Sequence, residues 1–242
     1  MNNAILITGG TKGIGLAAAQ ELAADGYNLI LTYNSDADAA KNAKEKILKT
    51  SDIEIELFQL DISNLSSVDN LKNYIAENNI QLSGIIFNAG LTYRSSFEEM
   101  QLDEWTKVFN ANIHFPVFFL QNILPYLQKG ACIIFTGSLM GIYPHAMSLA
   151  YGVSKSAVHA LVENLVKFLE PYEIRVNAIA PGFVDTEWQK NKPTEIRRNI
   201  ENKLSMHRFC ASKEAGEVYK FVINNKYFNG ETVTLSGGYC YK

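Results

Sequence analysis

The chain has 242 residues, of which 47% are hydrophobic and 19% charged, with 16 Gly, 6 Pro and 3 Cys. That composition belongs to a folded globular protein and excludes collagen-like, coiled-coil and disordered chains. With 22 Lys and Arg against 25 Asp and Glu, the formal charge is −3, so the broad positive field that attracts nucleic acid is missing and no such partner is expected.

The spacing predicts strands at 4–8, 28–33, 53–60, 84–88, 131–136, 175–180 and 232–235, separated by helices at 14–25, 36–50, 66–78, 103–128, 152–170 and 212–224. Short, nearly all-apolar strands alternating with helices imply a parallel sheet covered on both faces, the doubly wound α/β class. No linker or repeat divides the chain, so one domain over 1–242 is expected, with 185–211 as a charged insertion of lid type. No apolar run reaches the roughly 18 residues of a membrane span. The start of the chain carries no basic, cleavable leader, and Cys132, Cys210 and Cys240 fit no disulfide or metal spacing. A cytoplasmic protein with reduced thiols and no metal is expected.

The first strand runs into Thr8-Gly9-Gly10-Thr11-Lys12-Gly13-Ile14-Gly15 and then a helix. Glycines allow a sharp turn and a close backbone approach, and the helix start attracts an anion, so the segment is a candidate pyrophosphate cradle. Its spacing is G-x-x-x-G-x-G, and no Gly-Lys-Ser/Thr ending of a nucleotide triphosphatase follows. The second strand ends at Tyr33-Asn34-Ser35 without an acid, where a carboxylate would select NAD. Asp36 and Asp38 fall beyond it, in positions that suit helix capping. Lys12 could place an ammonium beside an adenosine phosphate, with Asn34 and Ser35 donating hydrogen bonds, which favours NADP(H) over NAD(H).

After the third strand, Asp61 beside Ile62 either accepts from an adenine amino group or stabilises a turn. Asn88-Ala89-Gly90 closes the fourth strand, where it either makes a turn or brings backbone against a cofactor while the amide ties strands together. Asn112 lies in a stretch rich in Phe and Leu, and its amide needs partners, structural ones or an ordered water leading toward Lys155. Phe115, Phe118, Phe119, Leu120, Ile123 and Leu124 in the same helix give it a wide apolar surface, suited to a second partner besides the sheet.

Ser138 follows the fifth strand at the carboxyl edge, where open α/β sheets bind ligands. Tyr151 and Lys155 are four residues apart on one helix face. An ammonium that near would pull the phenol pKa down and suit Tyr151 to proton exchange at a carbonyl or alcohol oxygen, although such pairs also occur as plain surface contacts. His114, His145 and His159 show no metal spacing and read as structural. Within 187–208, six cations (Lys190, Lys192, Arg197, Arg198, Lys203, Arg208) face three acids. That patch reads first as a solvated helix face and second as an attractor for an acidic carrier protein or a phosphorylated thioester.

Together these motifs resemble the short-chain dehydrogenase/reductase family, over residues 8–238, with most likeness to 3-oxoacyl-(acyl carrier protein) reductases. The resemblance implies a Rossmann-type sheet of order 3-2-1-4-5-6-7 and an oxidoreductase that exchanges a hydride with NADP(H) or NAD(H). It implies roles for Tyr151 as acid/base, Lys155 at the nicotinamide ribose, Ser138 on the substrate carbonyl and Asn112 at a proton-relay water. It also implies that Pro181-Gly182, Val184 and Thr186 contact the nicotinamide end, and that copies pair into a homodimer or homotetramer. Phe87 departs from the Asn that many members carry there. Other substrates shared by the family are sugars, polyols and steroids, and a silent dinucleotide-sensing protein is the rival of another class.

Overall fold

A computed structural model describes residues 1–239. Seven parallel strands form one sheet in the order β3-β2-β1-β4-β5-β6-β7: β1 (Ala4–Ile7), β2 (Asn28–Tyr33), β3 (Ile55–Gln59), β4 (Leu82–Phe87), β5 (Leu127–Thr136), β6 (Arg175–Pro181) and β7 (Thr232–Leu235). The helices are α1 (Gly13–Ala24), α2 (Ala37–Leu48), α3 (Ser67–Glu77), α4 (Leu102–Phe109), α5 (Phe115–Ile123), α6 (Leu149–Leu169), α7 (Glu187–Lys190), α8 (Thr194–Asn202) and α9 (Ser212–Asn224). This is the Rossmann-type architecture that the motifs imply.

Side chains alternate across the strands because successive residues point to opposite faces. Leu6, Ile30, Ile85, Ile133 and Val176 pack on Phe115, Phe119, Ile123, Val158 and Val162 of α5 and α6. Ile5, Ile7, Leu29, Leu31, Ile86 and Ile134 pack on Leu22 of α1, Ile47 of α2 and Tyr219 and Val222 of α9. The sheet is therefore covered on both sides, which is why its strands read as continuous apolar runs. A methyl placed on Gly216 would lie 2.6 Å from the Ala17 carbonyl oxygen, so α9 and α1 touch almost backbone to backbone.

The single helix expected over 103–128 is instead broken. α4 gives way to a π turn at Asn110–His114, α5 follows, a 3-10 turn spans Leu124–Tyr126, and β5 starts at Leu127. Proline is the cause: Pro116 cannot donate to the carbonyl of Asn112 four residues back, and the Phe115 N–H bonds the Asn110 carbonyl in the wider π pattern. The wide apolar surface also narrows, since Phe115, Phe119, Leu120 and Ile123 are buried in the core and Phe118, 48% exposed, points outward.

Cys132 and Cys210 are free thiols, and Cys240 lies outside the described residues. Among the described residues no helix is long and apolar enough to cross a membrane.

Candidate active site at the carboxyl edge of the sheet

The glycine turn is shaped by two positive φ values, +62° at Gly9 and +53° at Gly13, which L side chains rarely adopt. Thr32 pins it from β2: the Gly9 N–H donates to Thr32 Oγ1 at 3.2 Å and the Gly10 N–H to the Thr32 carbonyl at 3.1 Å. A methyl on Gly15 would sit 2.3 Å from the Gly9 carbonyl oxygen and 2.6 Å from Asn88 Nδ2, so only glycine fits. Thr11 is buried, Ile14 packs at the edge of the core, and no side chain caps the first turn of α1. The unfilled cradle of N–H groups at the start of a twelve-residue helix fits a pyrophosphate.

Asn88 ties β4 to β1. Its Nδ2 donates to the carbonyls of Thr8 (3.1 Å) and Gly9 (3.2 Å), while the Asn88 and Ala89 N–H groups donate to Thr8 Oγ1 at 3.0 and 3.1 Å. Thr186, which precedes α7, lies against Gly13, where a methyl would meet its Cγ2 at 3.3 Å. Gly182 donates to the Leu235 carbonyl at 2.9 Å, Pro181 ends β6, and the buried Val184 bridges Cys210. These residues of the glycine turn, Asn88-Ala89-Gly90 and 181–186 thus share one edge of the sheet.

The remaining candidates lie in the glycine turn itself and just past the carboxyl ends of β2 and β3. Lys12 is not free: its ammonium is paired with Asp36, which also caps α2 by accepting from the Ala39 N–H at 3.0 Å. Asn34 and Ser35 are exposed, and the half-buried Tyr33 ends β2. Asp61 accepts from both the N–H and hydroxyl of Ser63, at 2.9 and 2.7 Å, which makes it a turn aspartate, and Ile62 is buried in the core.

Four side chains converge beyond β5. Lys155, only 4% exposed, donates to the Thr136 carbonyl at 2.6 Å, with its Nζ 5.6 Å from the centroid of the Tyr151 ring. The Ser138 hydroxyl stands beside the Tyr151 phenol, whose pKa it lowers, and accepts from the Met140 N–H at 3.1 Å. Asn112 bonds Leu91 twice, accepting from its N–H at 2.9 Å and donating to its carbonyl at 3.0 Å, and donates to Ser154 Oγ at 2.9 Å. Both protons of the amide are thereby taken by protein groups. Gly90 lies beside both, since a methyl there would meet Asn112 Oδ1 at 3.0 Å and Lys155 Nζ at 3.5 Å.

Electrostatics differ from the expectation for Tyr151. Burial pushes its phenol above the usual tyrosine value, against a smaller lowering by Ser138, while the Lys155 ammonium is engaged by the Thr136 carbonyl. Burial instead holds the Lys155 ammonium down at about 8. Lys155 is buried and Tyr151 half-buried, and each group resists its charged form. Tyr219, buried and bonded to Thr136 Oγ1 at 2.7 Å, braces the strand end from α9.

The segment 185–211 contributes Trp188, whose ring meets the Tyr151 ring edge-on at 6.3 Å. Three of its six cations are neutralised: Lys190 by Glu187, Arg197 by Asp185 at 3.1 Å, and Arg208 by Glu214 at 2.6 Å. Lys192 is partly buried and feels the charge of Arg94 from the loop after β4. A cavity of about 640 Å³, lined by Gly13, Gln20, Thr186 and Lys213, opens on the flank of α1 and does not reach Tyr151. Among the described residues no cluster of three or more His, Cys, Asp or Glu could hold a metal. Thr32, Thr136 and Tyr219 escaped the sequence reading because small polar or aromatic residues inside apolar runs look like core, while Ser154 and Trp188 stand beside charged residues with no motif to mark them.

Residues 3–197 match the model of the short chain dehydrogenase family. An uncharacterised oxidoreductase of Bacillus subtilis (strain 168) is 29% identical over 243 residues, covering 99% of both chains. The 3-oxoacyl-[acyl-carrier-protein] reductase of Aquifex aeolicus (strain VF5) is 27% identical over 237 residues, 96% of this chain and 95% of that one. Among solved structures, a short chain dehydrogenase from Burkholderia cenocepacia J2315 in complex with NADP is 26% identical with a TM-score of 0.89, covering 98% of this chain and 97% of that one. A family match over most of the chain, carried by a seven-stranded sheet with a glycine turn at one end of its edge and Ser138, Tyr151 and Lys155 at the other, places this protein in the short chain dehydrogenase family of oxidoreductases.

Proposed function

We propose that the protein reduces a ketone to a secondary alcohol, a reading carried by one observation: the Ser138 and Tyr151 side chains stand beside each other at the carboxyl edge of the sheet, with the Lys155 ammonium 5.6 Å from the Tyr151 ring centroid. A nicotinamide dinucleotide supplies the hydride when bound. Gly9, Gly13, Ile14 and Gly15 would hold its pyrophosphate, Asn88, Ala89 and Gly90 its middle, and Lys155, Pro181, Gly182, Val184 and Thr186 its nicotinamide end.

Ser138 orients the substrate carbonyl and Tyr151 gives its phenolic proton to the oxygen that gains charge. A phenol raised by burial holds that proton until the oxygen demands it. Lys155 stabilises the phenolate left behind. Asn112 fixes the Leu91 loop to the α6 helix through Ser154, and its backbone carbonyl is the proposed holder of a relay water.

NADP(H) is the proposed coenzyme form. No acid ends β2, and the half-exposed Lys12–Asp36 pair is screened by solvent, so a phosphate dianion can draw Lys12 away from it. The proposed substrate is a 3-oxoacyl thioester on an acyl carrier protein or another phosphate-bearing carrier. Arg94 and Lys192, acting on each other across the loops after β4 and α7, support an anionic carrier. The likeness to the Aquifex aeolicus reductase supports the same class.

The test is turnover of purified protein with NADPH or NADH against acetoacetyl thioesters, sugars, polyols and steroid ketones, with Kd values for both nucleotides. The expected outcome is thioester reduction, tighter NADPH binding, and a roughly tenfold loss of NADPH affinity in Lys12→Ala. Preference for a sugar or steroid, or tighter NADH binding, contradicts the respective half of the reading, and absence of turnover with intact nucleotide binding favours a silent sensor.

A further inference from the structure

Directly beneath Ser138 lies a histidine that the reaction scheme leaves unused. Tyr151, Lys155 and His159 follow each other at four-residue intervals on α6, so the imidazole extends the row formed by the phenol and the ammonium. Its Nε2 accepts a hydrogen bond from the backbone N–H of Ser138 at 3.4 Å. The preceding residue is cut to fit: a methyl on Gly137 would lie 2.2 Å from His159 Nε2, so only glycine leaves room for the ring. Gly137 itself is held by donating its N–H to the Ile179 carbonyl at 2.7 Å. The turn that carries Ser138 is thus clamped between β6 and one imidazole nitrogen.

We propose that His159 is a positioning residue for Ser138: as a neutral acceptor at Nε2, in the space left by Gly137, it sets the turn so that the Ser138 hydroxyl meets the Tyr151 phenol. This rests on the reading of Ser138 and Tyr151 as the groups that hold and protonate the ketone oxygen.

Chemistry agrees with the geometry. An imidazolium would donate at both nitrogens and lose its bond to the Ser138 N–H. Burial, and then the nearby Lys155 charge, hold His159 down at about 4, so the ring is neutral at ordinary pH. With Nε2 accepting, the ring proton sits on Nδ1. Ser138 in turn stands beside Tyr151, so displacement of its backbone N–H reaches the reacting proton through one residue.

Nitrogen-15 NMR of the imidazoles, together with kinetics of His159→Leu and His159→Gln, tests the proposal. Leucine fills the space without an acceptor, whereas a glutamine carbonyl can take the place of Nε2. The expected spectrum shows His159 protonated at Nδ1 only and not titrating between pH 5.5 and 9, a window set by the ordinary histidine value near ~6.5. His159→Leu should lower kcat by about tenfold or more with KM for the nucleotide unchanged, and His159→Gln should recover most of that loss. A ring protonated at Nε2 or titrating near its ordinary value overturns the proposal, as does a folded His159→Leu with wild-type kcat, or a leucine variant no worse than the glutamine one. The NMR arm requires no turnover, so it decides the hydrogen bond even where ketone reduction itself is not found.

Discussion

The buried Lys155 and the half-buried Tyr151 form a pair in which each side chain carries more than one duty. The ammonium is 2.6 Å from the Thr136 carbonyl and held at about 8, far below an ordinary lysine. A cation that supports the phenolate is lost as pH rises through that value. The expected kcat/KM for ketone reduction is therefore level at neutral pH and falls above about 8, measured by nucleotide oxidation across a pH series. A level profile through pH ~9.5 would remove Lys155 from this role. The i, i+4 spacing on α6 was legible in the sequence, because helix periodicity alone places the two side chains on one face. The direction of the Tyr151 shift was not: it depends on burial and on where the ammonium points, and neither is encoded in spacing. Lys12 teaches the same lesson, since its partner Asp36 lies 24 residues away and is brought near only by the β1-to-β2 pairing.

Among the elements, strands and most helices were legible within a few residues, since their apolar runs and caps are local signals. The stretch 103–128 was not, because its apolar residues continue through Pro116 and Pro125 while the backbone cannot. The 185–211 segment likewise hid two short helices, α7 and α8, behind its charge. Arg175 at the start of β6 shows how an element end is secured. Its guanidinium donates to the carbonyls of Val222, Ile223, Asn225 and Phe228, between 2.7 and 3.2 Å, closing the C-terminus of α9 where a cation also complements the helix dipole. Arg175→Met leaves these carbonyls without that donor. It should lower stability by about 3 kcal/mol and Tm by roughly 10 °C in thermal unfolding, while nucleotide Kd stays near wild type. An unchanged Tm would show that the four bonds contribute nothing net.

At the scale of the whole molecule, the sheet brings 8–15, 88–90, 138, 151–155 and 181–186 to one edge, a convergence that no short window of sequence contains. It was legible only through the ordered set of motifs. Exposed apolar side chains remain on α5 and α6: Leu149 and Val153 one turn apart on α6, Phe168 further along it at 73% exposure, and Phe118 on α5. We propose that copies of the chain pair through this face into dimers or tetramers. Light scattering at micromolar concentration should give a mass of two or four chains, and Phe118→Asp combined with Val153→Asp should reduce it. A monomeric wild type would contradict the pairing.

The central claim is that the Tyr151 hydroxyl supplies the proton on which ketone reduction depends. Transient kinetics of Tyr151→Phe with saturating NADPH and the substrate found by screening tests it most directly, because binding and chemistry are read in one trace. The account predicts nucleotide binding within about threefold of wild type and a reduction rate lower by about a thousandfold or more. A Tyr151→Phe protein that binds nucleotide and still reduces the ketone at more than a tenth of the wild-type rate would contradict it.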